Sequence, residues 1–227
     1  MTKFLPILLV VLYAVLMMRF SVWRTRRMLD ERSVPLTDPS ITRLADRMAA
    51  AMGIPAIKVR VFEVEPVNGL AAPDGRIFLT RGFLNRKAQG EVTAEELASV
   101  IAHEMGHVAQ GHMRRRMIDF TGQNAVFVML SALLNRFLPF IGIWIANLIS
   151  TALMARLSRR DEFEADAWAS ALLIKSGIGT GPQKSLFRKL EALTQNRAEG
   201  VPAWLLSHPH VEERIAAIEA NEARWVG

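Results

Sequence analysis

The sequence predicts an α+β fold that is mostly helical, with a small β-sheet and two strongly apolar segments. Three observations lead to this prediction: amphipathic stretches with helix-capping residues, short runs of alternating apolar residues, and a hydrophobic content of 51%. The mean hydropathy of +0.18 is high for a protein without membrane contact. A chain of 227 residues is long enough for one domain with an accessory segment, and too short for two comfortable domains.

The first apolar segment, residues 4–20, is close to the roughly 20 residues that cross a bilayer. Arginines follow it, and the positive-inside rule then places the rest of the chain in the cytosol. We predict a membrane anchor over residues 1–23 and a basic linker over residues 24–37. A cleaved signal peptide is an alternative, but no small-x-small cleavage site follows the apolar run. A buried core helix is a further alternative that the flanking charge disfavours.

The elements after the linker follow from capping residues and periodicity. Asp38 caps a helix that ends at Gly53. The stretch "IKVRVFEV" predicts a strand, and "NGLAAPDGRIFLTRGFL" predicts two short extended pieces around a Pro-Asp-Gly turn. Thr93 and Glu96 form a capping box that opens a long helix, expected to run to Arg116.

The charge distribution narrows the classes of partner. The formal net charge is +6, and the chain has no cysteine, so any metal must be held by His, Asp or Glu. The basic clusters lie beside apolar segments, which fits anionic lipid head groups, and we find no nucleic-acid motif. These clusters are Arg19, Arg24, Arg26, Arg27, then Arg114, Arg115, Arg116, and then Arg156, Arg159, Arg160.

The stretch "HEMGH" in the long helix carries the chemistry. His103 and His107 are four residues apart, so both project from one helix face and can bind one zinc ion. Glu104 lies about 100° around the helix from His103, at the edge of that face. It is badly placed as a ligand and well placed as a general base that takes a proton from water.

Two candidates exist for the third protein ligand. His112 follows closely, but on a continuing helix it would lie about 180° from His103, which favours a solvent-facing or interfacial histidine. The stretch "EFEAD" instead offers Glu162 and Asp166 on one face of a second helix. One carboxylate can bind zinc while the other accepts an N–H bond from a ligand histidine.

"HEMGH" followed by "EFEAD" resembles the zinc-metalloprotease family that includes the HtpX heat-shock membrane proteases and the CAAX prenyl proteases. The resemblance covers roughly residues 38–220. It implies that Glu162 is the third zinc ligand and that Asp166 contacts a ligand histidine without binding zinc itself. The chain is much shorter than the CAAX proteases, so prenyl-protein processing is not implied. Typical HtpX proteins carry two apolar segments at the N-terminus, and this chain carries one.

Two further stretches are similar to the family. "SHPHVEERI" resembles its C-terminal Ser-His-Pro segment, which implies that His208 stabilises the oxyanion and that Arg214 lies nearby. The stretch that begins "NGLAA" resembles a strand beside the zinc site, where a substrate backbone can add to the sheet edge. The four residues of this substrate strand are Asn68, Gly69, Leu70 and Ala71.

The second apolar region, predicted as an insertion at residues 120–157, separates the two halves of the metal motif. Since His103 and Glu162 must meet at one ion, the insertion crosses the membrane twice or not at all. We predict a helical hairpin that crosses twice in tilted form or lies in the interface. A helical pair packed on the domain core, or in a dimer interface, is the alternative.

The predicted function is that of a zincin-type metalloprotease domain, residues 38–227, with one zinc ion per chain. It would cleave misfolded or membrane proteins at the cytosolic side of a bacterial-type inner membrane. Its partners would be a protein or peptide substrate and membrane lipid, and we expect no nucleic-acid partner. A homo-oligomer is compatible with the sequence. The alternatives are a non-catalytic zinc-binding membrane scaffold and a metzincin-like protease that uses His112. Glu104 favours an enzyme, because structural zinc sites are closed and need no base.

Overall fold

The computed structural model describes residues 5–72, 74–112, 127–195 and 211–226. The helices of this part are α1 (Leu5–Glu31), α2 (Pro39–Met52), α3 (Arg81–Ala88), α4 (Ala94–Ala109), α5 (127–137), α6 (Gly142–Lys175), α7 (Gly181–Gln195) and α8 (Val211–Val226). The strands are β1 (Ser33–Pro35), β2 (Val59–Phe62), β3 (Gly69–Ala71) and β4 (Ile77–Thr80). The α+β class with mostly helical content is confirmed.

The four strands form one mixed sheet in the order β1-β2-β4-β3. β1 pairs antiparallel with β2, β2 pairs parallel with β4, and β3 pairs antiparallel with β4. The predicted strand in "IKVRVFEV" is β2, and the two pieces around the Pro-Asp-Gly turn are β3 and β4. This order leaves β3 at an edge of the sheet.

The two faces of β4 pack against different layers, because successive side chains of a strand point to opposite faces. Ile77 and Leu79 face the main core, whereas Phe78 packs with Leu29 of α1 on the other face. The main core lies between the sheet and helices α2, α4, α6, α7 and α8. Its buried members include Ile41, Met48, Leu97, Ile101, Leu173, Phe187 and Ile218.

The predicted caps form as expected. The Asp38 carboxylate accepts hydrogen bonds from the backbone N–H groups of Ser40 and Ile41, at 2.9 and 3.2 Å. Thr93 and Glu96 exchange both bonds of the capping box that opens α4. These bonds satisfy N–H groups that have no partner within the helix, so both helices begin where the sequence predicts.

The N-terminal region differs from the expected linker. α1 continues through the basic residues to Glu31, and residues 33–35 then add strand β1 to the sheet. No glycine or proline interrupts α1 between Phe20 and Glu31, and Arg27 pairs with Glu31 one turn later. Within the described ranges, no helix combines the length and apolar character needed to cross a bilayer. The membrane anchor over residues 1–23 stays a prediction.

The described part of the insertion consists of α5, a turn over residues 138–141, and the beginning of α6. α6 is 34 residues long and carries the "EFEAD" stretch without interruption. Residues 143–175 contain no glycine or proline, so nothing ends the helix between the insertion and the carboxylates of that stretch. The second half of the insertion and the second half of the metal motif therefore belong to one rigid element.

Candidate metal centre

A close approach of α4 and α6 brings the two halves of the metal motif together. Gly106, the fourth residue of "HEMGH", lies directly against Ala165 of "EFEAD". A methyl group on Gly106 would lie 2.7 Å from the carbonyl oxygen of Ala165 and 3.0 Å from its Cα. Since Ala165 sits between Glu162 and Asp166, this contact sets how far both carboxylates reach toward α4.

Three potential ligand groups converge on one point between these helices. The Nε2 atoms of His103 and His107 are 3.1 Å apart. Oxygens of the Glu162 carboxylate lie 3.4 Å from Nε2 of His103 and 3.5 Å from Nε2 of His107. Ligand atoms about 2.1 Å from a tetrahedral ion are about 3.4 Å from each other. All three side chains are buried, and their spacing and chemistry fit zinc.

Asp166 and Arg214 lie behind His103, as the family resemblance implies. The Nδ1 of His103 is 2.9 Å from an oxygen of Asp166, so this ring presents Nε2 to the metal. Arg214 donates to both oxygens of Asp166, from Nε at 2.5 Å and from Nη2 at 2.7 Å. The guanidinium also stacks 4.4 Å above the Phe187 ring. Arg214 is fully buried, and its contacts with Asp166 and Phe187 compensate for the removal of its charge from water.

The charges of this cluster shift the pKa values of His103 and Asp166 in opposite directions. Burial lowers the pKa of His103, but hydrogen bonds to Asp166 and Glu162 outweigh this effect and raise the pKa to about 9. Burial raises the pKa of Asp166, but the charge and hydrogen bonds of Arg214 outweigh it, so the pKa lies below its ordinary value of 3.8. Zinc binding at neutral pH would therefore release a proton from His103.

Two further residues belong to this cluster, and no sequence pattern predicts that they contact Asp166. Gln183 donates to an oxygen of Asp166 at 3.4 Å, and Ser170 donates to the Gln183 amide oxygen at 2.9 Å. Both side chains are buried. A glutamine on one helix and a serine on another form no recognisable spacing, so only the fold brings them to Asp166.

The prediction that His112 faces solvent or an interface is wrong. α4 ends at Ala109, and Gly111 has a left-handed φ of 67° that reverses the chain. His112 is thereby 1% exposed and its Nδ1 lies 2.8 Å from Nδ1 of His107. That contact is on the side of the His107 ring away from Nε2, so the geometry favours Glu162 over His112 as the third ligand.

Glu104 and the edge strand β3 lie side by side. A methyl group on Gly69 would lie 2.4 Å from Cγ1 of Val100 and 3.6 Å from Oε1 of Glu104. The absence of a side chain at residue 69 thus allows β3 to lie against α4 next to the Glu104 carboxylate. Leu70 and Ala71 continue this edge strand and are half-buried. His208 lies outside the described residues.

A comparison with known protein families shows which family the chain belongs to. A sequence model described as Peptidase family M48 matches residues 35–222, from β1 into α8. The chain belongs to Peptidase family M48. As a member of family M48 it is a metallopeptidase and hydrolyses peptide bonds, which confirms the predicted reaction class and the resemblance to HtpX-type proteases. This membership removes the support for a non-catalytic zinc scaffold.

Three relatives illustrate the range of similarity within family M48. "Metalloprotease LoiP" of Escherichia coli (strain K12) is 28% identical over 78% of this chain and 70% of its own length. "Protease HtpX homolog" of Chlorobium phaeobacteroides (strain BS1) is 25% identical over 87% of this chain and 74% of its own. "Putative beta-barrel assembly-enhancing protease" of Vibrio cholerae serotype O1 (strain ATCC 39315 / El Tor Inaba N16961) is 28% identical over 83% and 40%, respectively.

Adding a methyl group at Gly106 is expected to separate α4 from α6. The Gly106→Ala variant should lose about 1–3 kcal/mol of unfolding free energy through overpacking, and its zinc affinity should fall because Glu162 moves away. Chemical denaturation and a zinc competition assay measure the two effects. Gly181→Ala is the matched control, since a methyl group there meets no atom within 4 Å. Equal behaviour of the two variants would contradict the assigned contact.

Proposed function

We propose that the protein is a membrane-associated zinc endopeptidase that cleaves misfolded or membrane proteins. The observation that carries this proposal is the convergence of His103, His107 and Glu162 next to Glu104 and an open strand edge. The three converging residues hold the ion, Glu104 transfers the proton, and the edge strand holds the substrate.

The substrate would bind as an additional strand on β3. β3 pairs with β4 on one side, and within the described ranges no strand pairs with its other side. The substrate backbone would pair with Gly69, Leu70 and Ala71 along this open edge. Recognition through the backbone requires an extended segment, which unfolded proteins provide.

Hydrolysis would proceed by general base catalysis from Glu104. Zinc, when bound, lowers the pKa of a coordinated water and polarises the scissile carbonyl. Glu104 accepts a proton from the attacking water as the water oxygen bonds to the carbonyl carbon. The same carboxyl group then donates that proton to the amide nitrogen as the C–N bond breaks. We propose that His208 stabilises the oxyanion during this step.

The exposed side chains of α5 and the beginning of α6 support membrane association. Large apolar side chains point outward there and in the turn between the two helices, among them Met129 (71% exposed), Phe137 (70%), Phe140 (89%), Trp144 (74%) and Leu148 (69%). The buried positions of α6 in this region are the small residues Gly142, Ala146 and Ser150. Small residues inside and large apolar residues outside are typical of helices that face lipid. We infer that the insertion enters the bilayer or lies in its interface.

Basic residues before and after the apolar part of α6 fit anionic lipid head groups. Arg136 lies near the turn, and Arg156, Arg159 and Arg160 follow the apolar part of α6, all exposed. Together with the predicted anchor over residues 1–23, these residues would hold the catalytic domain at the cytosolic face of a bacterial-type inner membrane. Membrane proteins and misfolded chains at that surface would be its substrates, which is a role in quality control.

Isolated membranes, and then the protein purified from them in detergent, test the two parts of this proposal. The full chain should remain with the membrane pellet after a high-salt wash. In detergent, with one equivalent of zinc, it should cleave reduced carboxymethylated α-lactalbumin and leave the native, folded form intact. A chelator should stop the cleavage and zinc should restore it. Chelator-resistant cleavage, or none by the zinc-loaded protein, would refute the zinc endopeptidase, and release by salt would refute membrane insertion.

A further inference from the structure

A second histidine, His112, contacts the proposed ligand His107 on the side of the ring that faces away from the metal site. Nδ1 of His112 is 2.8 Å from Nδ1 of His107, and Nε2 of His112 is 3.2 Å from Oε2 of Glu164. The other oxygen of Glu164 accepts from Nε of Arg160 at 2.7 Å. His112 is 1% exposed, whereas Glu164 is partly exposed. A chain of hydrogen bonds thus runs from the metal centre to the surface of α6.

The direction of every bond in this chain follows from the proposed zinc site. If His107 binds zinc through Nε2, its neutral ring carries the proton on Nδ1 and donates it to His112. Nδ1 of His112 must then be unprotonated, so its proton lies on Nε2 and is donated to Glu164. We infer that His112 is a positioning residue, which fixes the tautomer and ring orientation of His107. This inference rests on the proposed function of His107 as a zinc ligand.

The two ligand histidines are then held by equivalent means. Asp166 accepts from Nδ1 of His103, and His112 accepts from Nδ1 of His107. Each contact fixes rotation of its ring, and both Nε2 atoms are left to converge on the ion. The reversal of the chain at Gly111 is what returns His112 to this position.

A second metal ion is the competing interpretation of the same residues. Ligand atoms of His112, Asp161 and Glu164 also lie within 4.8 Å of one another. However, a metal on Nε2 of His112 would require the proton of that ring to be on Nδ1. Two Nδ1–H groups, from His107 and His112, would then face each other at 2.8 Å. Zinc at His107 therefore excludes a metal at His112 and favours the hydrogen-bonded arrangement.

Zinc affinity of the metal-free full chain, measured by competition with a chelating indicator, tests the inference. His112→Leu removes the acceptor at similar volume and should weaken zinc binding by about 10–100-fold. His112→Asn should stay within a few-fold of wild type, because its side-chain oxygen occupies the position of Nδ1. Gln110→Ala, an exposed change in the same turn, is the matched control. Unchanged affinity in the leucine variant would overturn the inference, and so would a second zinc ion per chain.

A second measurement needs no variant and so does not depend on the folding of a mutant. In the zinc-loaded, ¹⁵N-labelled protein, long-range ¹H–¹⁵N correlation spectra report which nitrogen of each histidine carries the proton. We expect the proton on Nδ1 in His107 and on Nε2 in His112. A proton on Nδ1 of His112 would overturn the inference. Failure of the wild-type chain to bind zinc would instead refute the proposed metal site, so the two failures are distinguishable.

Discussion

Replacing Glu104 with glutamine is expected to abolish cleavage while zinc remains bound. The amide keeps the size of the side chain but cannot accept a proton from water, and general base catalysis typically contributes about 10²–10⁴-fold to a rate. His103, His107 and Glu162 keep their positions in this variant, so the metal site remains intact. The measurement is kcat/KM on an unfolded protein substrate, alongside the zinc content of the same sample.

Glu95→Gln is the matched control, since Glu95 lies in the first turn of the same helix and its side chain is exposed. It should leave both kcat/KM and zinc content unchanged. If Glu104→Gln retained wild-type activity, Glu104 would not be the base. If it lost zinc together with activity, Glu104 would hold the metal and the assignment of Glu162 would have to be revised.

The parts of the fold that the sequence predicts best are those with local causes. The caps at Asp38 and Thr93 act over three or four residues, and the structure shows both. The spacing of His103 and His107 is likewise local, because a helix alone decides that both point to one side. Local rules of this kind do not depend on the rest of the chain.

Long-range contacts of the centre could not be predicted in this way. The spacing of Glu162 and Asp166 made them candidates, but the family resemblance was needed to choose Glu162 as the ligand, since nothing in residues 103–107 specifies a partner far along the chain. Gly106 and Ala165 explain why the two halves of the metal motif come together, because two small residues let α4 and α6 approach closely. This reason becomes visible only once the helices are seen side by side. Gln183 and Ser170 were missed for the same cause.

The incorrect prediction for His112 has a specific origin. It assumed that α4 continues past Ala109, in which case His112 would point away from the metal. The two residues after Ala109 instead form a turn, with Gly111 at a positive φ. A glycine at residue 111 is compatible both with a continuing helix and with a turn. The burial of His112 against His107 explains why the turn is favourable.

Replacing Arg214 with methionine is expected to produce the largest loss of stability. Arg214 is buried and holds Asp166 through two hydrogen bonds. Methionine fills the volume but leaves the Asp166 carboxylate without this cation, and removing one partner of a buried pair typically costs about 3–5 kcal/mol. Zinc affinity should fall as well, because Asp166 also orients His103. Urea denaturation of the metal-free protein and a zinc competition assay measure the two losses.

Arg188→Met is the matched control, since Arg188 lies on α7, pairs with Glu219 at 3.5 Å and is 62% exposed. An exposed pair of this kind contributes at most about 1 kcal/mol, so the control should remain close to wild type. If Arg214→Met were no less stable than Arg188→Met, the buried cluster would not hold the fold together.

The dependence of unfolding on pH separates the charge of Arg214 from its packing. In the wild type the pKa of Asp166 lies below 3.8, because the charge of Arg214 outweighs the effect of burial. A lowered pKa contributes stability that is fully present above the unfolded value and is lost as the pH falls through the folded value. In Arg214→Met, burial acts without that cation and raises the pKa of Asp166 relative to wild type. Acid unfolding should therefore begin at a higher pH in Arg214→Met, whereas Arg188→Met should follow the wild-type curve. Parallel acid-unfolding curves for Arg214→Met and wild type would mean that Arg214 acts through packing against Phe187 and not through its charge.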